Sequence, residues 1–299
     1  MTILGSSSAL PTSQRYPSAH VLNAHERFFL IDCGEGTQMQ MRRYRIRYGR
    51  LHNIFISHLH GDHVFGLYGL LSTMSLAGRQ SPLNLYAPEA FSGIFRSHLL
   101  DFDVHLNYEI NFIPLRSKDP VKIFEDKNII AYSFPLQHRV PAYGFLFREK
   151  EKERNIKKDV IKTYDIPVAQ IHRIKKGADF YTAEGKLISN KKLTIDPPEP
   201  RSFAYCSDTR YFSRLVDFVR GVNLLYHEAT FAGDKSKLAN RTGHSTAEQA
   251  ATVALEAGAR KLIIGHFSAR YKNHNILLEE ARNVFPDTVA AEEGRVIQI

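Results

Sequence analysis

Four side chains able to hold a metal ion fall within six residues, in the run His58-Leu59-His60-Gly61-Asp62-His63. The run follows Asn53–Ser57, where Ile54, Phe55 and Ile56 read as a short strand. His58 and His60, two apart on an extended backbone, point to the same side, so both imidazoles reach one ion. Gly61 permits a sharp turn that brings Asp62 and His63 round to a second position close by. Four nitrogen and oxygen ligands with no cysteine suit zinc or a related divalent ion. A ligand set at the end of a strand is also where open α/β sheets place their sites.

The rest of the chain agrees with such a sheet. Arg27–Ile31 reads as a strand running into the turn Asp32–Gly36, and strands follow around Leu83–Tyr86, Ile110–Ile113 and Ile129–Phe134. Phe65–Leu76 and Ala90–Leu99 read as helices. Late in the chain, Phe203–Cys206, Val222–Tyr226 and Lys261–Ile264 are short apolar runs with polar C-terminal ends. Between the last two lies a helix over Ser245–Ala257, opened by a capping-box pattern, Ser245-Thr246-Ala247-Glu248, and closed by Gly258. Strands alternating with helices define an α/β layered fold. The expected organisation is one domain over residues 1–299. Residues 149–201 break its rhythm as an insertion, from the mixed-charge run at Glu149 to the return at Pro197-Pro198-Glu199-Pro200.

Charge gives that insertion a meaning. The 299 residues carry 40 Lys and Arg against 31 Asp and Glu, a net of +9, which favours an anionic partner. From Arg148 to Arg201 there are 14 basic and nine acidic residues, so more than half the surplus lies in under a fifth of the chain. A second concentration is Arg42, Arg43, Arg45, Arg47 and Arg50, with no acid between Gly36 and Gly61. No apolar run approaches the ~18 residues of a membrane span, and the first residues show no signal segment, so a cytoplasmic protein is expected. Two cysteines, Cys33 and Cys206, are too few for a disulfide framework or a thiolate zinc cage.

Several blocks carry a family resemblance. The metal run His58–His63 resembles that of the metallo-β-lactamase fold in its phosphodiesterase-like branch, while Leu4-Gly5 with Ala9-Leu10-Pro11-Thr12, and Phe29–Gln38, resemble the opening blocks of the short-form ribonuclease Z family. The later blocks Tyr205-Cys206-Ser207-Asp208-Thr209, His227-Glu228-Ala229-Thr230, Gly243-His244-Ser245-Thr246 and His266–Tyr271 resemble the short-form ribonuclease Z family, the transfer-RNA 3′-processing endonucleases. The resemblance implies a four-layer αββα sandwich with a projecting arm, here 149–201, that grips tRNA. It implies two zinc ions per subunit, one held by His58, His60 and His138, the other by Asp62, His63 and His266, with Asp208 shared. Asp208 and His266 also fall at predicted strand ends, as the sheet argument requires.

The resemblance further assigns proton acceptance to Asp62 and donation to the leaving oxygen to His244, oriented by Glu228. Asp32 is expected to orient the metal loop through hydrogen bonds. The implied reaction removes the 3′ trailer of precursor tRNA, leaving a 3′-hydroxyl on the tRNA and a 5′-phosphate on the trailer. The implied assembly is a homodimer in which one subunit's arm serves the other's site. There are two departures: Tyr16 follows Arg15 where the family has asparagine, and Ile166–Ile171 lacks the Gly-Pro-rich arm tip. Two other readings compete. A hydrolase of small phosphodiesters or sulfate esters would need no basic insertion. A non-catalytic RNA-binding protein with structural zinc would need no separate acid.

Overall fold

The computed structural model describes residues 1–299 as two compact units, Met1–Arg148 with Ser202–Ile299, and Glu149–Arg201. The first unit holds two sheets. One has six strands in sequential order: β1 (Thr2–Gly5), β2 (Ala19–Ala24), β3 (Arg27–Cys33), β4 (Leu51–Phe55), β5 (Leu83–Pro88) and β6 (Ile110–Leu115). The other comprises β7 (Val121–Glu125), β8 (Ile129–Leu136), β9 (Ala142–Glu149), β10 (Ser202–Cys206), β11 (Leu224–Glu228), β12 (Lys261–Gly265) and β13 (Thr288–Ala290). Its spatial order is β13-β12-β11-β10-β9-β8-β7, with β10 to β13 parallel.

The period-two alternation of the strands sorts their side chains into layers. Phe29, Ile31 and Phe55 face the second sheet, joining Phe145, Phe147, Phe203 and Tyr205. Leu30, Ile54 and Ile56 point the other way, onto Leu67, Leu70 and Met74 of the helix Gly66–Leu76 and onto Phe91 and Phe95 of Phe91–Asp101. Phe55 is the hinge of the inter-sheet layer. Its ring stacks on Tyr86 at 4.4 Å and meets Phe145 and Phe147 edge-on. Truncating such a ring to alanine costs about 3–5 kcal/mol. On the outer face of the second sheet, Ala247, Ala250, Ala251, Ala254 and Ala257 let the helix Ala247–Ala257 approach closely. The result is helices, sheet, sheet, helices: the expected αββα sandwich.

One local expectation is corrected, and one segment holds more than its pattern suggests. The capping box is built one residue later, by Thr246 and Gln249, because the Ser245 hydroxyl instead donates to the Thr209 carbonyl at 2.7 Å. And the Glu149–Arg201 unit, whose sequence shows no strong apolar period, has a core of its own: Val160, Ile166, Ile174, Phe180, Ile188 and Leu193. Those six residues are spread unevenly over three short helices, one strand pair and the loop that holds Ile166, so no window reveals them. Asn190 ties the unit together, its amide donating to the carbonyls of Ile174 (2.6 Å) and Ala178 (2.8 Å). No helix of the chain is long and apolar enough to cross a membrane.

Candidate metal centre

The centre forms where three parallel strands end abreast. Cys206 of β10 pairs with His227 of β11, and Glu228 pairs with Gly265 of β12. Asp208, Glu228 and His266 therefore leave the sheet side by side, and the loop after β4 supplies His58 to His63. His58 Nε2 lies 3.0 Å from His60 Nδ1, which lies 3.2 Å from His138 Nε2. The same group includes Asp208 Oδ2, 3.4 Å from His58 Nε2 and 3.8 Å from His138 Nε2. In the second group, His63 Nε2 and His266 Nε2 are 3.2 Å apart. Asp62 Oδ2 stands 3.5 and 3.3 Å from them, and Asp208 Oδ1 3.5 and 3.2 Å. Thus all seven sequence-predicted ligand residues converge, and the two oxygens of Asp208 face one group each.

In four of the five rings the other imidazole nitrogen is already engaged. His63 Nδ1 pairs with Asp32 Oδ2 at 2.8 Å, His138 Nδ1 with the Gly243 carbonyl at 2.7 Å, and His266 Nδ1 with Thr230 Oγ1 at 2.9 Å. His58 Nδ1 meets Ser57 Oγ at 3.0 Å. Such partners set ring orientation and leave one lone pair per ring for an ion. Asp208 Oδ1 is buried with no hydrogen-bond partner. A buried carboxylate oxygen without a donor, among imidazole nitrogens turned toward one another, is the chemistry of cation ligands rather than of a closed hydrogen-bond network. The donor set fits two divalent ions of the zinc type. Burial alone would raise the Asp208 carboxyl, but His266, His63 and His58 together hold it well below the ordinary carboxylate range.

Asp32 is the hub behind the metal loop. It sits in the left-handed region at φ 56°, fully buried at the end of β3. Its carboxylate accepts from Ser57 N (2.7 Å), Ser57 Oγ (2.9 Å), and Tyr205 Oη (2.7 Å), besides pairing with His63. Strain of this kind, about 1–3 kcal/mol, persists only where the surroundings over-determine it.

His244 stands at the rim with Glu228 beneath it. His244 Nδ1 lies 3.1 Å from Glu228 Oε1, which also accepts from Ser245 N and Thr209 N. Burial opposes the imidazolium, yet Glu228 and Asp208 raise the His244 pKa to about 9. Glu228 Oε2 accepts from Thr230 N at 2.9 Å and Thr230 Oγ1 at 2.7 Å. His227 turns away; its Nδ1 meets the Glu228 carbonyl at 2.7 Å. The cleft over the metal groups, about 500 Å³, is lined by His60, Asp62, Asp208, His244 and His266, with Phe65 and Arg139 at its sides. Sequence reasoning missed Thr230, Tyr205 and the backbone of Ala9, whose N–H donates to Asp62 Oδ2 at 2.7 Å. Thr230 and Tyr205 lie inside the family blocks, so their position was visible but their contacts were not.

An αββα sandwich with two facing His/Asp groups at its strand ends defines a metallohydrolase of the metallo-β-lactamase fold. A Bacillus subtilis protein of that fold, YhfI, superposes with a TM-score of 0.71 at 18% identity, covering 99% of this chain and 98% of its own. The short form of human tRNase Z superposes with a TM-score of 0.71 at 27% identity, over 100% of this chain and 98% of its own. Ribonuclease Z of Bacteroides thetaiotaomicron is 46% identical over 297 residues, 99% of this chain and 94% of the relative. That of Parabacteroides distasonis is 44% identical over 299 residues, 100% and 98% of the two chains. Residues 1–284 also match the family model described as Anti-Pycsar protein Apyc1. The chain belongs to the family that this model describes and to ribonuclease Z.

Proposed function

We propose that the chain is the metal-dependent endoribonuclease that removes the 3′ trailer from precursor tRNA. The observation that carries this is the Asp208 carboxylate set between two His/Asp groups, with the His244–Glu228 pair at the rim of the same cleft. His58, His60 and His138 would hold one ion, Asp62, His63 and His266 the other, and Asp208 both; zinc suits every donor present. When bound, such a pair supplies an acidic water and a positive clamp on the phosphoryl oxygens.

The protein's own groups do the rest. Asp62, oriented by the Ala9 N–H, accepts the proton released by the attacking water. The His244 imidazolium, held through Nδ1 by Glu228, donates from Nε2 to the departing 3′-oxygen, whose alkoxide is too basic to leave unaided. The products are a tRNA 3′-hydroxyl and a trailer 5′-phosphate. The basic unit Glu149–Arg201 is read as the tRNA-binding arm. A homodimer in which one subunit's arm serves the other's site, and a cytoplasmic location, complete the proposal.

The test is cleavage of an unmodified precursor tRNA by the purified protein, with end-group analysis, beside hydrolysis of bis(p-nitrophenyl) phosphate. Cleavage at the trailer junction with a 3′-hydroxyl is expected. Hydrolysis of the small diester alone would return the chain to the small-ester class, and RNA binding without either activity to the non-catalytic one.

A further inference from the structure

His244 lines two hollows. The first is the cleft over His60, Asp62, Asp208 and His266. The second, about 330 Å³, contains none of the metal-facing residues; Arg210, Tyr211, Ser236, Lys237, Asn240 and Gln249 complete its wall. No carboxylate lines it. Arg210 Nε is enclosed and has no hydrogen-bond partner, which leaves a charged donor in want of an acceptor.

This second hollow is built on the same supports as the metal centre. Arg210 follows Asp208 by two residues, and its N–H donates to the Gln137 carbonyl at 2.9 Å. The Gln137 N–H in turn donates to Thr209 Oγ1 at 3.1 Å, so the loops carrying His138 and Asp208 are clasped together at this point. Ser236 and Asn240 lie one turn apart on the helix Ser236–Thr242, with Lys237 beside them. That helix ends at Gly243, in the left-handed region at φ 78°, whose carbonyl meets His138 Nδ1 and whose successor is His244. The cationic wall is thereby held in fixed relation to the acid.

We propose that this hollow is a nucleotide subsite on the leaving-group side of the cleaved bond. Arg210 and Lys237 hold the phosphate one step 5′ of the scissile phosphate, and Tyr211 and Asn240 contact the nucleotide between the two. The inference rests on the RNA-cleaving reading above. Its polarity follows from the acid. His244 protonates the departing 3′-oxygen, so the residue that owns this oxygen lies against His244, and the strand continues 5′ into the hollow beyond. A diester with no second phosphate leaves Arg210 and Lys237 without their acceptor, so the subsite favours polynucleotides over small esters.

The experiment uses precursor tRNAs carrying one methylphosphonate, placed either one phosphate 5′ or one phosphate 3′ of the cleavage point. Lys237 and Asn240 are exposed, so Lys237→Ala and Asn240→Ala preserve the core. Wild-type protein is expected to lose about tenfold in kcat/KM on the 5′-modified substrate, the scale of one charge-assisted hydrogen bond. Lys237→Ala should lose about tenfold on unmodified RNA and little more on the 5′-modified RNA, whereas its effect and that of the 3′ modification should multiply. Arg220→Ala, a basic residue paired with Asp217, is the control for general charge loss and should match wild type. Multiplying effects at the 5′ position, or wild-type kcat/KM for Lys237→Ala, overturn the subsite while the enzyme reading stands. No cleavage by the wild-type protein overturns both.

Discussion

Thr230 Oγ1 lies 2.9 Å from His266 Nδ1 and 2.7 Å from Glu228 Oε2, so one hydroxyl joins a metal-facing imidazole to the carboxylate beneath His244. The hydroxyl has one proton, which goes to the carboxylate, and its lone pair takes the imidazole N–H. That assignment directs His266 Nε2 at the metal group and leaves Glu228 Oε1 for His244.

Thr230→Val keeps the shape and removes this link. Metal affinity should fall about 10–100-fold, the usual cost of losing an outer partner, and Thr230→Ser should restore it. Competition with a chromophoric chelator measures both. Equal affinity in the valine variant would show that Thr230 does not orient His266.

His244→Ala should keep its metal and lose on the order of 10²–10⁴-fold in cleavage of precursor tRNA. The deficit should shrink on bis(p-nitrophenyl) phosphate, whose leaving group needs no proton. An equal loss on both substrates would mean that His244 positions or folds rather than donates.

Asp208→Ala removes the one carboxylate that faces both groups, so affinity for both ions and activity should fall together. Elemental analysis should find two ions per chain in the active wild-type protein. One ion per fully active chain would sink the two-ion mechanism.

Replacing residues 157–193 by a Gly-Ser linker takes out the second unit's core whole and leaves the strand pair Asn155–Ile156 and Thr194–Ile195 as its base. The excised stretch holds nine basic and four acidic residues. The log–log salt dependence of precursor-tRNA binding should flatten by about 0.7–0.9 for each phosphate that the shortened protein no longer neutralises. The ratio of kcat/KM for precursor tRNA to that for the small diester should fall by about tenfold or more. An unchanged ratio would leave the unit's charge as a solvated face.

Glu293 predicts a pH effect on stability. Burial raises its carboxyl from 4.5 to about 7, against the pull of the Tyr16 N–H at 2.6 Å and of Arg15. The folded state therefore favours the protonated acid. The stability it contributes is full below about pH 4.5 and is lost as pH rises through about 7. Glu293→Gln, which mimics the neutral acid, should flatten the decline of Tm between pH 5 and 8. A decline as steep as wild type would place the titration elsewhere.

How much of this was legible in the chain depends on distance along it. His58, His60, Asp62 and His63 could be read directly, because adjacent residues on an extended segment and a glycine turn have a geometry set by local backbone rules. An α/β layered fold was legible for the same reason, since Phe29, Leu30 and Ile31 alternate faces wherever β3 sits, whereas the αββα order of the layers came only with the family resemblance. Asp208, His266 and His138 could be named only through the family resemblance, since nothing local brings His58 to residues 80 or more positions away. Tertiary structure decided the rest. The register that sets Cys206 beside His227 and Glu228 beside Gly265 determines that Thr230 reaches both His266 and Glu228, and that Arg210 and Lys237 share a hollow with His244. Local sequence encodes period and propensity, whereas a hydrogen bond between segments depends on pairing and packing, which belong to the whole chain.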